Sequence, residues 1–203
     1  MAAERPSERG SSSVSGVIAD ALDPEVGAGS CPHLAVLLRT HDDLPAVLAS
    51  FYGLGAKRNG WLAHRALPGE ADLDRERLSR AGLQVADLEE EDRLAIMEID
   101  PSGPAEGSTE RLERELDRAL ERGFAAAWYA RFAVGPEQRD HEAFRPFEDA
   151  WDRAFNGRPV VTLCPFVVGE IDARAALERM DWLASLHDSV LLPGAGGGFV
   201  PDR

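Results

Sequence analysis

Six short apolar runs, separated by segments of helical periodicity, occur between about residues 32 and 194. A strand with one solvated face alternates in polarity. The run His33 to Arg39, reading His-Leu-Ala-Val-Leu-Leu-Arg, does not, and so belongs in a sheet covered on both faces. The other runs are Trp61 to Leu67, Arg93 to Ile99, Phe124 to Ala133, Val160 to Val168 and Ser189 to Leu192. Between them lie apolar stripes at helical spacing: Leu44, Val47, Leu48, Phe51 and Leu54; Leu73 and Leu78 behind a capping Asp72; Leu112, Leu116, Ala119 and Leu120; Phe144, Phe147, Trp151 and Phe155; Leu177, Met180, Leu183 and Leu186. Strands joined by helical crossovers predict an α/β fold, a three-layer α/β/α domain with a mostly parallel, six-stranded, doubly wound sheet. Gly82, Gly123 and Asn156-Gly157 stand where helices should end. Pro146 is expected in the first turn of its helix, and Pro165 at a strand exit or a bulge.

A chain of 203 residues, 44% of them hydrophobic, fills one such core with some length left over. Residues 1–30, with Pro6, Gly10 and three successive serines, read as a flexible tail with a short helical turn around Val17 to Leu22. Residues 195–203, in and beyond the glycine-rich run Gly194 to Gly198, read as a second tail, which leaves a domain of residues 31–194. The acidic balance, 36 acidic against 22 basic residues and a formal charge of -14, argues against a nucleic-acid partner, whose phosphates need clustered cations. No run of about 18 apolar residues occurs, and the amino terminus lacks the apolar stretch of a signal peptide, so a cytoplasmic protein without a membrane partner is expected. Cys31 and Cys164 lie far apart in or beside apolar runs, without the spacing of a zinc site or a disulfide framework.

Ligands of open α/β sheets sit beyond the carboxyl ends of the strands. The first such turn, Arg39-Thr-His-Asp-Asp43, has neither the glycines nor the lysine that cradle a phosphate. Thr40 to Asp43 instead resembles a capping box, with Thr40 accepting from a backbone N–H. His41, Asp42 and Asp43 are consecutive and point in diverging directions, which suits a helix start better than a cation site. The glycine run at Gly194 is followed by no helix, no Gly-x-Ser-x-Gly elbow occurs, and Cys164 lies inside a strand. No catalytic residue, no metal ligand and no cofactor is therefore expected. Arg39, Thr40, His41, Arg131 and Phe166, all at strand ends, are the candidate ligand-binding residues. His33 and His187 fall at the opposite edge of the sheet, His187 as a cation complementing a helix carboxyl terminus. His64 and His141 read as surface or internally satisfied residues.

Pro32 and His33 with the first strand, followed by Phe51-x-x-x-Gly55-x-x-x-Asn59-Gly60, resemble the start of the MEDS domain, the sensory domain of methanogen and methylotroph dichloromethane regulators. Phe147-Glu148, Arg158-Pro-Val-Val-Thr-Leu-Cys164 and Leu186-His187 are similar to that family's aromatic-Glu helix, Leu-Cys strand and late histidine, in the same order. The resemblance covers about residues 32 to 194 and is strongest at its two ends. It implies a RecA-like sheet without a phosphate-binding loop, used as a sensory or regulatory module, and marks His33, Glu148, Cys164 and His187 as its pattern residues. Such modules usually precede a histidine-kinase-like ATPase or a DNA-binding domain, and this chain has room for neither. It also departs from the pattern: Leu38 replaces a tyrosine, Cys164-Pro-Phe-Val167 replaces Cys-x-Tyr-Asp, and Asp188 replaces a proline.

The resulting expectation is a stand-alone, non-catalytic sensory or regulatory domain in bacterial or archaeal signalling. It binds a small molecule, or a histidine-kinase-like or anti-sigma signalling protein. The alternatives are a pure interaction module and, behind it, a hydrolytic enzyme using His41 with its neighbouring aspartates. Oligomeric state is left open by the sequence.

Overall fold

The computed structural model describes residues 14–22, 32–98, 105–131, 141–167, 173–193 and 199–201. Its sheet contains β1 (His33–Leu38), β2 (Gly60–Ala66), β3 (Leu94–Glu98), β4 (Ala126–Ala130), β5 (Val160–Val167), β6 (Ser189–Pro193) and β7 (Phe199–Pro201), ordered β3-β2-β4-β5-β1-β6-β7. The first six strands are parallel; β7 pairs antiparallel to β6. The helices are α1 (Val14–Leu22), α2 (Leu44–Lys57), α3 (Ala71–Arg80), α4 (Val85–Glu90), α5 (Ala105–Glu121), α6 (His141–Phe155) and α7 (Ala173–Leu186), with a 3-10 turn at His41–Asp43.

Side-chain alternation sorts the helices into two layers. Leu34, Val36 and Leu38 of β1 pack with Leu163 of β5 against residues from α1 to α4, including Ile18, Phe51, Leu78 and Leu88. The intervening Ala35 and Leu37 turn to the other face, with Cys164 and Phe166 of β5 and Leu183 of α7. Farther along that second face, α5 and α6 cover Trp61, Ala63 and Tyr129. This is the expected three-layer α/β/α arrangement, and the unalternating strands are buried because both faces are covered.

The glycines of the Phe51 to Gly60 segment have a packing cause. A Cβ on Gly55 would lie 2.6 Å from Cγ of Trp128, and one on Gly60 would collide with its Cδ1. The bare α2 backbone and the first residue of β2 therefore form the slot for the indole of β4, which is 1% exposed. Phe51 closes the slot from the side, its ring centroid 5.1 Å from that of Trp128.

Several local expectations change. The helical turn expected around Val17 to Leu22 is present as a helix over residues 14–22, but it is no part of a loose tail: Val17, Ile18 and Leu22 are buried in the core, because the pattern Val-Ile-x-x-x-Leu gives it one apolar edge. Residues 199–201, assigned to the second tail, are strand β7. The remaining tail residues lie outside the described ones. Helix α4 went unforeseen, since its six residues are too few to display a period. Glu70 rather than Asp72 is the cap of α3, and Leu73 is exposed. Pro146 lies inside α6 rather than in its first turn. Pro165 sits within β5, in register with Val36; β4 pairs only as far as Leu163, so no donor is required of Pro165 on that side. At the first turn, by contrast, the expected capping box forms, and the Asp43 carboxylate accepts from the backbone N–H and the hydroxyl of Thr40, both at 3.2 Å.

Candidate functional site

Two groupings of polar side chains stand out, one on each face of the sheet. The first surrounds a cavity of about 470 Å³ where the chain leaves β1 and β2, between the start of α2 and α3. His41, Asp42, Leu44, Pro45 and Leu48 line one side; His64, Leu67, Asp74, Arg77 and Leu78 line the other. Its size is that of an ordinary small-molecule site, and it mixes apolar walls with a few polar groups. His64 is held firmly in the wall. Its Nδ1 lies 3.1 Å from the Tyr52 hydroxyl and its Nε2 3.0 Å from Oδ2 of Asp74. Asp74 is half-buried, and desolvation pushes its pKa up, but the hydrogen bonds and charges of His64 and Arg77 outweigh this and hold it below the usual aspartate value. Burial keeps the Tyr52 phenol well above its usual value, so it remains a neutral donor.

The second grouping is interior, between β1, β5, α6 and the end of α7. His33 Nε2 lies 3.1 Å from Sγ of Cys164, and its Nδ1 lies 3.5 Å from Oε2 of Glu148. The other oxygen of Glu148 meets the Arg131 guanidinium at 3.5 Å. The His187 ring stacks on His33 with centroids 4.2 Å apart, while its Nδ1 meets the Leu183 carbonyl at 3.0 Å. Burial, reinforced by His187 and Arg131, holds the His33 imidazole well below its ordinary pKa. Burial likewise lowers His187 to about 4, aided by Arg131 and opposed by the bond to Leu183. His187 is therefore neutral at pH 7. It satisfies a helix-terminal carbonyl by hydrogen bonding, not as the cation the sequence led us to expect.

Of the ligand-binding candidates, His41 lines the strand-exit cavity, and Arg39 and Thr40 are exposed beside it. Arg131 and Phe166 are each 1% exposed and belong to the opposite face, Arg131 paired with Glu148 and Phe166 edge-on to His187. By contrast, the four pattern residues His33, Glu148, Cys164 and His187, spread over more than 150 positions of sequence, converge in one cluster. The sequence-profile description "MEthanogen/methylotroph, DcmR Sensory domain" matches residues 32–182, most of the chain. The chain belongs to the MEDS family. Among curated proteins, none matches it. What this MEDS chain adds to the pattern is its geometry: the early histidine, the Leu-Cys strand, the aromatic-Glu helix and the late histidine are one contact set. No helix among the described residues is long and apolar enough to cross a membrane.

Tyr52, Asp74 and Arg77 were not singled out by sequence reasoning, and His64 was not read as part of a site. The Asp74 to Arg77 spacing of three, facing a strand-borne histidine, is the signal that was there to be used. His64 was taken for a surface or internally satisfied residue, and the second reading is correct: it is 4% exposed and bonded at both nitrogens.

Proposed function

We propose that this chain is a cytoplasmic, non-catalytic sensory domain that binds a small, partly apolar molecule in the strand-exit cavity and passes its state to a signalling partner. The observation that carries the reading is the cavity of about 470 Å³, whose lining includes the apolar Leu44, Pro45, Leu48 and Leu78 and the polar His41, His64, Asp74 and Arg77. Membership of a sensory family supports it. The absence of glycine and lysine from the Arg39 to Asp43 turn weighs against a nucleotide triphosphate as the ligand. Because His41 sits in the turn that starts α2, and Asp74 and Arg77 sit on α3, an occupant of the cavity touches both helices and biases their separation. That movement is the signal a histidine-kinase-like or anti-sigma protein would read.

A thermal-shift screen of nucleotides, small halogenated or methylated compounds and acyl compounds tests the proposal. Binding at one hundred times Kd stabilises by about 2.7 kcal/mol, or roughly 5–10 °C for a chain of this size. The expected result is a selective shift that is lost or strongly reduced in Leu44→Trp, which puts an indole into the cavity wall. A shift that survives Leu44→Trp removes the cavity from the account, and silence across the screen leaves the interaction-module reading in its place.

A further inference from the structure

The interior cluster on the α6 and α7 face has the composition and wiring of a metal site. His33, Cys164 and His187 are all buried, and one ligating atom from each lies within 4.8 Å of the others. Each histidine has its Nδ1 engaged from outside: that of His33 with Glu148 at 3.5 Å, that of His187 with the Leu183 carbonyl at 3.0 Å. This is how proteins orient ligating imidazoles, by binding the distal nitrogen so that the other turns its lone pair inward. Nε2 of His33 already points at Cys164. Nε2 of His187 is buried and meets no hydrogen-bond partner among the described residues. An orphaned acceptor 7% exposed is costly unless something occupies it.

Charge and coordination number narrow the choice. Thiolate and imidazole form a soft donor set, suited to copper(I) or zinc rather than to magnesium or calcium. Among the described residues, three ligands are available and no fourth joins them, whereas structural zinc takes four. Glu148 and Arg131 already neutralise each other. A monovalent cation on a thiolate leaves the cluster uncharged, while a divalent one leaves a net positive charge in a dry interior. We infer that His33, Cys164 and His187 bind one copper(I) ion in a trigonal site, with Glu148 as the positioning residue for His33. Bonds of about 2.0–2.3 Å require ligand atoms some 3.6 Å apart, so the His33 Nε2 to Cys164 Sγ pair, now at 3.1 Å, has to open slightly, while the set as a whole already lies within 4.8 Å. Binding displaces the Cys164 thiol proton to solvent, and no electron is transferred. His33, at the amino end of β1, and His187, at the end of α7, keep 6% and 7% exposure, the side from which an ion would enter. This site is separate from the strand-exit cavity, so the two stand or fall independently.

The full chain, reduced and kept under nitrogen, would be loaded with copper(I) and dialysed against a copper(I)-specific chelator, with zinc(II) and its own chelator as a parallel arm. The expected outcome is one retained copper(I) per chain. X-ray absorption should show one sulfur and two nitrogen neighbours, Cys164→Ser should lose the ion, and Glu148→Gln should weaken retention about 10–100-fold. Failure to retain stoichiometric copper, or a first shell without sulfur, overturns the site. Tighter retention of zinc(II) than of copper(I) overturns the assignment of the ion. Should Cys164→Ser not fold, the X-ray absorption of the wild-type protein still decides.

Discussion

Two glycines one helical turn apart or less offer a sharp test of the packing, because the same substitution should have opposite signs at them. Gly53 and Gly55 both lie inside α2, where replacing glycine by alanine ordinarily gains about 0.5–1 kcal/mol from backbone entropy. A Cβ at Gly53 meets nothing within 4 Å. At Gly55 it would lie 2.6 Å and 2.7 Å from Cγ and Cδ2 of Trp128 and 2.9 Å from Cδ2 of Leu62. These are ring and branch atoms of enclosed side chains, so α2 or the indole must move. Overpacking of this kind costs about 1–3 kcal/mol. Gly53→Ala should therefore raise the urea midpoint, while Gly55→Ala should fall about 1–3 kcal/mol below it. Combined with Trp128→Leu, Gly55→Ala should lose its penalty, which a double-mutant cycle reads as coupling. Equal midpoints for the two alanine variants would refute the slot.

Three further outcomes follow from the two polar groupings. Glu148→Gln leaves the Arg131 guanidinium without its carboxylate at 1% exposure and should cost about 3–5 kcal/mol in chemical denaturation; an unchanged curve would remove the pair from the account. The metal-free protein should lose stability as pH falls. His187 is lowered to about 4 from an ordinary 6.5, so the unfolded chain takes up the proton first. The contribution is complete above about pH 6.5 and fades towards pH 4, by about 3 kcal/mol, and His187→Gln should reduce that slope, leaving the part that the likewise lowered His33 supplies. Asp74→Ala should cost about 1–3 kcal/mol by stranding Nε2 of the buried His64, measured as a drop in the thermal midpoint.

The layered fold was legible because burial on both faces leaves runs such as His33–Leu38 and Val160–Val167 without polar alternation, and because α2 and α5 carry a stripe several turns long. What escaped were elements too short to show a period, α4 and β7, and the docking of the amino-terminal helical turn, whose Val17, Ile18 and Leu22 are interrupted by residues common in tails yet pack into the core. Pro165 was misplaced because the rule for proline in strands depends on where the neighbouring strand stops pairing, which a single strand cannot reveal. The interior cluster was half visible. The resemblance picked out His33, Glu148, Cys164 and His187, but not their contact, since strand order brings β5 beside β1 across 131 residues. Arg131 follows the last residue of β4, as a crevice residue should, yet Glu148 holds its side chain inside. Strand ends locate a backbone position; the partner available decides where a long side chain goes.

The strand-exit cavity is tested most directly by recording amide shifts of the full chain while titrating in the compound that stabilises it most. Binding in the cavity predicts that the largest changes fall on residues 41–48, 64–67 and 74–80, with those around Cys164 and His187 unmoved. Changes centred elsewhere, or none at saturating compound, would contradict a ligand-sensing role for this cavity.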